Sequence, residues 1–150
     1  MARLSRRSTL GLIAAGVTTP LAVPLAVSAA NDRPLAIRGY DPVAYFADGK
    51  PERGLAGIEY EWDGQRYRFV SPEHRDLFAA DPIRYAPQFA NFCAMALGDG
   101  ELVEANPEYW LISDGKLYLF GKPVGPHLFK QDSAGRTAKA NQNRALIVNR

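Results

Sequence analysis

The sequence predicts an α+β fold, a small antiparallel sheet built from two hairpins with several short helices packed on it. Three observations predict it. Asp63-Gly64 and Asp114-Gly115 each stand between runs of strand-forming residues. Ser71-Pro72-Glu73 and Asp81-Pro82 each set a capping side chain before a proline, as helix starts do. Phe89, Phe92, Cys93, Ala96 and Leu97 recur at i, i+3, i+4, i+7 and i+8, the spacing of an apolar helix stripe.

Each element follows in order. Asn31 to Ile37 is a short leader. Ile58 to Trp62 and Gln65 to Phe69 flank Asp63-Gly64, and a two-residue loop sets their register. Glu61 then faces Arg66, Glu59 faces Arg68, Tyr60 meets Tyr67 and Ile58 meets Phe69. One face is charged and wet, the other aromatic and buried. Ser71 opens a helix and Asp81-Pro82 a second short turn, and a third helix runs from about Ala86 to the stop at Gly98-Asp99-Gly100. Asn106-Pro107-Glu108 reads as another helical turn. The second hairpin pairs Tyr109 to Ser113 with Lys116 to Phe120 and is apolar on both faces, which places it centrally, covered on both sides. Ala134 to Val148 reads as a polar surface helix.

Composition narrows the class. The chain has 150 residues, 47% hydrophobic and 23% charged, values of one ordinary globular domain. Its single cysteine excludes an internal disulfide and any zinc site built on several thiolates. Residues 1–30 hold Arg3, Arg6 and Arg7 and no acid. Removing those three arginines from the 18 basic residues leaves 15 against 16 acids, a net charge of −1. Such a body makes no electrostatic case for nucleic acid or an anionic membrane as partner.

Residues 1–30 read as an export signal peptide. Ser5-Arg6-Arg7-Ser8-Thr9-Leu10 is a basic stretch with paired arginines. Leu10 to Val27 is mildly apolar and diluted by Gly11, Gly16, Pro20 and Pro24. Val27-Ser28-Ala29 or Ser28-Ala29-Ala30 supplies a small-x-small cleavage site. Paired arginines with weak hydrophobicity resemble a twin-arginine signal more than a general secretory one. The expected location is periplasmic or secreted. The export machinery is then a partner through the signal, a periplasmic protein partner is open, and residues 31–150 form one domain without a stable membrane anchor.

P-loop, dinucleotide-binding, nucleophile-elbow and His-Glu-x-x-His motifs are absent from the sequence. The run Gly39-Tyr40-Asp41-Pro42-Val43-Ala44-Tyr45-Phe46 resembles the opening motif of secreted YHS-domain proteins. The likeness continues through Asp63 to His74, Phe78 to Phe89, Phe92-Cys93-Ala94 and Asp114 to Phe120, covering roughly residues 37–145. The resemblance implies a fold related to metal-binding TRASH-type modules. It also implies a transition metal, copper in particular, as the cofactor.

Two departures bear on that ligand. Metal-binding relatives resemble Phe-Cys-Ser-x-x-Cys after the hairpin, whereas here Val70 stands at the first ligand position and His74 at the second. Glycines and a tyrosine often precede the family's cysteine, whereas here Ala90, Asn91 and Phe92 do.

The candidate metal ligands are therefore Cys93 and His74, a soft thiolate and an imidazole suited to Cu(I) or Zn(II). Two ligands need a third, a water or a partner protein, to complete a site. Residue by residue, Cys93 reads first as a buried structural thiol and His74 first as a satisfied structural histidine, with the ligand role second for each. His127 reads as a loop histidine, and Met95 as core filler or a soft ligand. Tyr40, Asp41 and Tyr45 are candidate pocket-lining residues, Asp41 being also a turn residue before Pro42. The leading functional reading is a non-catalytic binding module for a transition metal or small ligand. The alternatives are a structural or protein-interaction module without metal and, third, a small enzyme with Cys93 as nucleophile.

Overall fold

Both Asp-Gly pairs turn hairpins in the computed structural model, which describes residues 32–148. The export-signal reading of residues 1–30 lies outside the described residues. Strands β1 (Leu55–Trp62) and β2 (Gln65–Phe69) form one antiparallel pair, and β3 (Asn106–Ser113) and β4 (Lys116–Phe120) form another. The α+β class holds, with a difference in the sheet: the hairpins make two separate two-stranded sheets rather than one.

Local turn chemistry explains what matches. Asp63 and Gly64 both adopt positive φ, as do Asp114 and Gly115, the signature of a type I′ turn. The pairs Glu61–Arg66, Tyr60–Tyr67 and Glu59–Arg68 follow from it. Beyond Glu59 a bulge intervenes, and Leu55 rather than Ile58 lies opposite Phe69. The charge pairing also differs from simple opposition. Glu59 accepts from Arg68 at 2.8 Å and from Arg66 at 3.5 Å, while Glu61 pairs with Arg33 at 3.2 Å.

Among the described residues seven short α-helices surround the hairpins: α1 (Ala44–Ala47), α2 (Pro72–Ala80), α3 (Pro82–Tyr85), α4 (Ala94–Gly98), α5 (Gly125–Lys130), α6 (Ser133–Gln142) and α7 (Ala145–Val148). The expected caps are in place. Ser71 Oγ accepts from His74 N at 3.2 Å, and Asp81 Oδ1 accepts from Arg84 N at 3.2 Å. Asp132 caps α6 in the same way, at 2.9 Å from Gly135 N.

Three local expectations are corrected. The helix expected from Ala86 is confined to α4. Pro87 carries no N–H, Ala90 takes φ 50°, and two of the donors leave for other segments while Ala90 N and Phe92 N bond three residues back, to Pro87 O and Phe89 O. Gln88 N donates to Leu117 O, and Cys93 N donates to Val103 O. Phe89, Cys93 and Leu97 are buried all the same. Asn106-Pro107-Glu108 is not a helical turn but the start of β3, where Asn106 Oδ1 accepts from Glu108 N at 3.0 Å. His127 sits exposed in α5 rather than in a loop.

The second hairpin is central, as its two apolar faces require. Leu117 and Leu119 face a cluster with Tyr45, Tyr67, Phe69 and Phe78. Tyr118 and Phe120 face a second cluster with Phe89, Cys93, Leu97 and Phe129. In the first, the Phe78 ring lies 4.6–6.1 Å from those of Tyr60, Trp62, Tyr67 and Phe69. A ring so enclosed contributes about 3–5 kcal/mol, judged by the cost of truncating it to alanine. Among the described residues no helix is long and apolar enough to cross a membrane.

Candidate functional site

Asp41 is the one fully buried acid among the described residues, at 0% exposure. An ionised carboxylate survives there only if donors surround it. Oδ1 accepts from Val43 N at 2.7 Å and Ala44 N at 3.3 Å, the free N–H groups at the start of α1. Oδ2 accepts from Val70 N at 2.9 Å, where β2 passes into α2. The same oxygen lies 2.7 Å from His74 Nδ1. One side chain thus ties α1, the end of β2 and the first turn of α2 together.

The carboxylate can only accept, so His74 Nδ1 carries the proton of that bond. In the neutral ring Nε2 is then left with its lone pair. It faces Asp48 Oδ2 at 3.8 Å, beyond hydrogen-bond length, while the His74 side chain is 14% exposed. Asp48 caps the C-terminal end of α1, so Asp41 and Asp48 flank the imidazole from the two ends of one helix. A carboxylate on one ring nitrogen orients the other for a metal or a proton, as around many metal-bound histidines.

The neighbouring tyrosines are engaged. Tyr40 Oη donates to Glu108 Oε1 at 2.6 Å, with the Arg53 guanidinium 4.8 Å from its ring centre. That hydrogen bond, ahead of burial, raises the Tyr40 hydroxyl above its ordinary pKa. Tyr45 Oη donates to Pro107 O at 2.9 Å, and its ring meets Trp110 edge-on at 5.2 Å. Burial pushes its pKa far up. Tyr40, Asp41 and Tyr45 thus stand in one corner of the fold, spending their polar atoms on internal partners rather than lining either of the two large cavities.

Cys93 lies elsewhere. It precedes α4, is 7% exposed and belongs to the second cluster. His74 shares α2 with Phe78 of the first cluster, and the β3–β4 hairpin stands between the clusters. The structure therefore brings His74 to Asp41 and Asp48, and does not bring it to Cys93. Among the described residues no three His, Cys, Asp or Glu side chains converge on one point that could hold a metal. The reason at His74 is plain: its two carboxylates approach opposite ring nitrogens.

Asp48 and Glu108 were missed by sequence reasoning. The burial of Asp41, which calls for partners such as His74, is visible only in the structure. Nothing local pointed to Asp48. No protein-family model, no curated protein and no solved structure matches the chain.

Proposed function

We propose that the protein is an exported, non-catalytic binding module of YHS type, which holds a transition metal through His74. One observation carries this reading: the 2.7 Å bond from Asp41 orients the ring and leaves Nε2 facing Asp48. Imidazole and carboxylate together suit zinc or copper. Nε2 and the Asp48 carboxylate would hold the metal, with water or a partner protein completing an open coordination shell. The paired arginines of the N-terminal region and the motifs from Gly39 onward support export and family. Cys93 is structural in this reading.

The test is titration of the full chain with Cu(I), Cu(II) and Zn(II) beside His74→Ala, Asp48→Asn and Cys93→Ala. The expected result is binding of one equivalent, lost in His74→Ala, weakened in Asp48→Asn and kept in Cys93→Ala. A parent chain that binds none of these ions refutes the proposal. A second reading, a scaffold without metal, is favoured by the four internal bonds of Asp41. It predicts that His74→Ala lowers stability and changes no affinity.

A further inference from the structure

The chain has two methionines, Met1 and Met95. A thioether inside a protein ordinarily meets apolar or aromatic groups. Met95 meets a cation instead: Arg136 Nη1 donates to its Sδ at 3.2 Å. Sulfur is a weak acceptor for so strong a donor. Among the described residues the Arg136 guanidinium has no oxygen acceptor, and its Nε is buried without a partner. Buried donors without good acceptors are costly, so a better acceptor at this spot would be held firmly.

The surroundings leave room for one. A hollow of about 30 Å³ lies between α4 and α6, lined by Met95, Gly98, Asp99, Arg136 and Lys139. A space of roughly 10–15 Å³ already holds a water-sized oxygen. One acid, Asp99, stands there against two bases, Arg136 and Lys139, and a surplus of positive charge suits the negative end of an S–O dipole. Met95 is partly exposed and also lines the 390 Å³ cavity beside Cys93, so small solutes reach it from solvent. The two helices are fixed to each other: Asn143 Nδ2, just past α6, donates to Leu97 O at 2.8 Å, and Gly98 lies against Lys139 and Ala140.

We infer that Met95 is an oxidative modification site whose sulfoxide is received by Arg136. Hydrogen peroxide is the oxidant. A sulfur lone pair attacks one peroxide oxygen, the S–O bond forms and the O–O bond breaks. The sulfide is oxidised by two electrons and the peroxide reduced, and the proton of the transferred oxygen passes to the leaving hydroxide to give water. The sulfoxide oxygen, a strong acceptor, takes the Arg136 Nη1–H in place of the thioether and ties α4 to α6. Arg136 stands on one side of the sulfur, so one sulfoxide epimer is favoured. Methionine sulfoxide reductases, one for each epimer, reverse the step with two thiols, which leave as a disulfide and water. The site shares no residue with Asp41, His74 or Asp48, so it stands apart from the metal reading.

The experiment treats the folded full chain with hydrogen peroxide and locates added oxygen by peptide mass spectrometry, which separates Met95 from Met1 and Cys93. Met95 is expected to gain one oxygen, and the purified Met95 sulfoxide chain to keep its Tm within about 1 °C. In Arg136→Gln the same oxidation is expected to lower Tm by about 4 °C or more. After digestion, the two epimer-specific reductases are expected to reveal one epimer in about fivefold excess. Met95→Gln sets a permanent amide oxygen at similar reach; it is expected to keep the parent Tm, and it serves where Arg136→Gln fails to fold. Met95 that stays unoxidised where free methionine is fully converted overturns the inference. So does a fall in Tm on oxidation as large in the parent as in Arg136→Gln, a fall of about 4 °C or more in Met95→Gln, or equal amounts of the two epimers.

Discussion

Replacing Asp41 tests the centre of this structure most directly. In Asp41→Ala three backbone N–H groups and the His74 Nδ1–H lose their acceptor, those of Val43 and Ala44 fully buried and those of Val70 and His74 partly so. Hydrogen bonds to a charged group contribute about 1.5–3 kcal/mol each. The Ala44 contact, at 3.3 Å, is the longest, and the others share one carboxylate and are not additive. The expected loss is about 4–5 kcal/mol, a large part of the roughly 5–15 kcal/mol that holds a domain folded. With a urea slope near 1.5 kcal/mol/M, the midpoint falls by about 3 M.

Asp41→Asn is the finer probe. Its amide oxygen still serves Val43 and Ala44, but an NH2 group now faces Val70 N–H and His74 Nδ1–H. The imidazole must move its proton to Nε2 so that Nδ1 can accept, and Val70 stays unpaired. The expected cost is about 2–3 kcal/mol. A protonated Nε2 no longer donates a lone pair, so metal affinity falls about 10–100-fold. Urea denaturation measures the first effect, nitrogen NMR of the imidazole the tautomer, and metal titration the third. Asp41→Ala within about 1 kcal/mol of the parent would refute the reasoning. So would a neutral His74 whose proton sits on Nε2 in the parent chain.

Three further outcomes follow from the same coordinates. Gly54→Ala places a Cβ 2.4 Å from Arg68 C and 2.5 Å from Phe69 N, both backbone atoms, so β2 must shift. The expected drop of about 3 kcal/mol or more is read as a lower Tm, and an unchanged Tm contradicts it. Ala90 holds φ 50°, where glycine carries no Cβ penalty, so Ala90→Gly is expected to raise stability by about 1 kcal/mol in urea denaturation. Burial raises the Tyr45 and Tyr67 hydroxyls well above their ordinary value near 10, so the folded state keeps protons that the unfolded chain releases. Their contribution is complete below about pH 10 and is lost as pH rises from there toward the folded-state values, at about 1.4 kcal/mol per pH unit for each tyrosine. Urea midpoints at stepped alkaline pH check this, with Tyr67→Phe expected to give the shallower decline.

The hairpins and caps were readable because their causes are local. Asp-Gly at positions 63–64 and 114–115 needs only its own φ angles to turn the chain. Ser71 and Asp81 reach N–H groups three residues ahead. Two apolar faces on β3 and β4 required a cover on each side, and two clusters supply it. Burial of Phe89, Cys93 and Leu97 was also legible, although the helix expected to carry them is broken. Spacing states which side chains leave water, while Pro87 and the donors taken by Leu117 and Val103 decide the backbone that does it. The bulge beside Phe69 and the separation of the sheets had no local sign, since strand edges pair according to what the whole chain brings alongside. The same holds for the site. Asp41 and His74 lie 33 residues apart, and their bond exists because α1, the end of β2 and α2 converge on one buried carboxylate. Residue types named His74 and Cys93 as chemistry-bearing groups. Packing assigned them different neighbours, because a central hairpin with two apolar faces must divide the core into two sides.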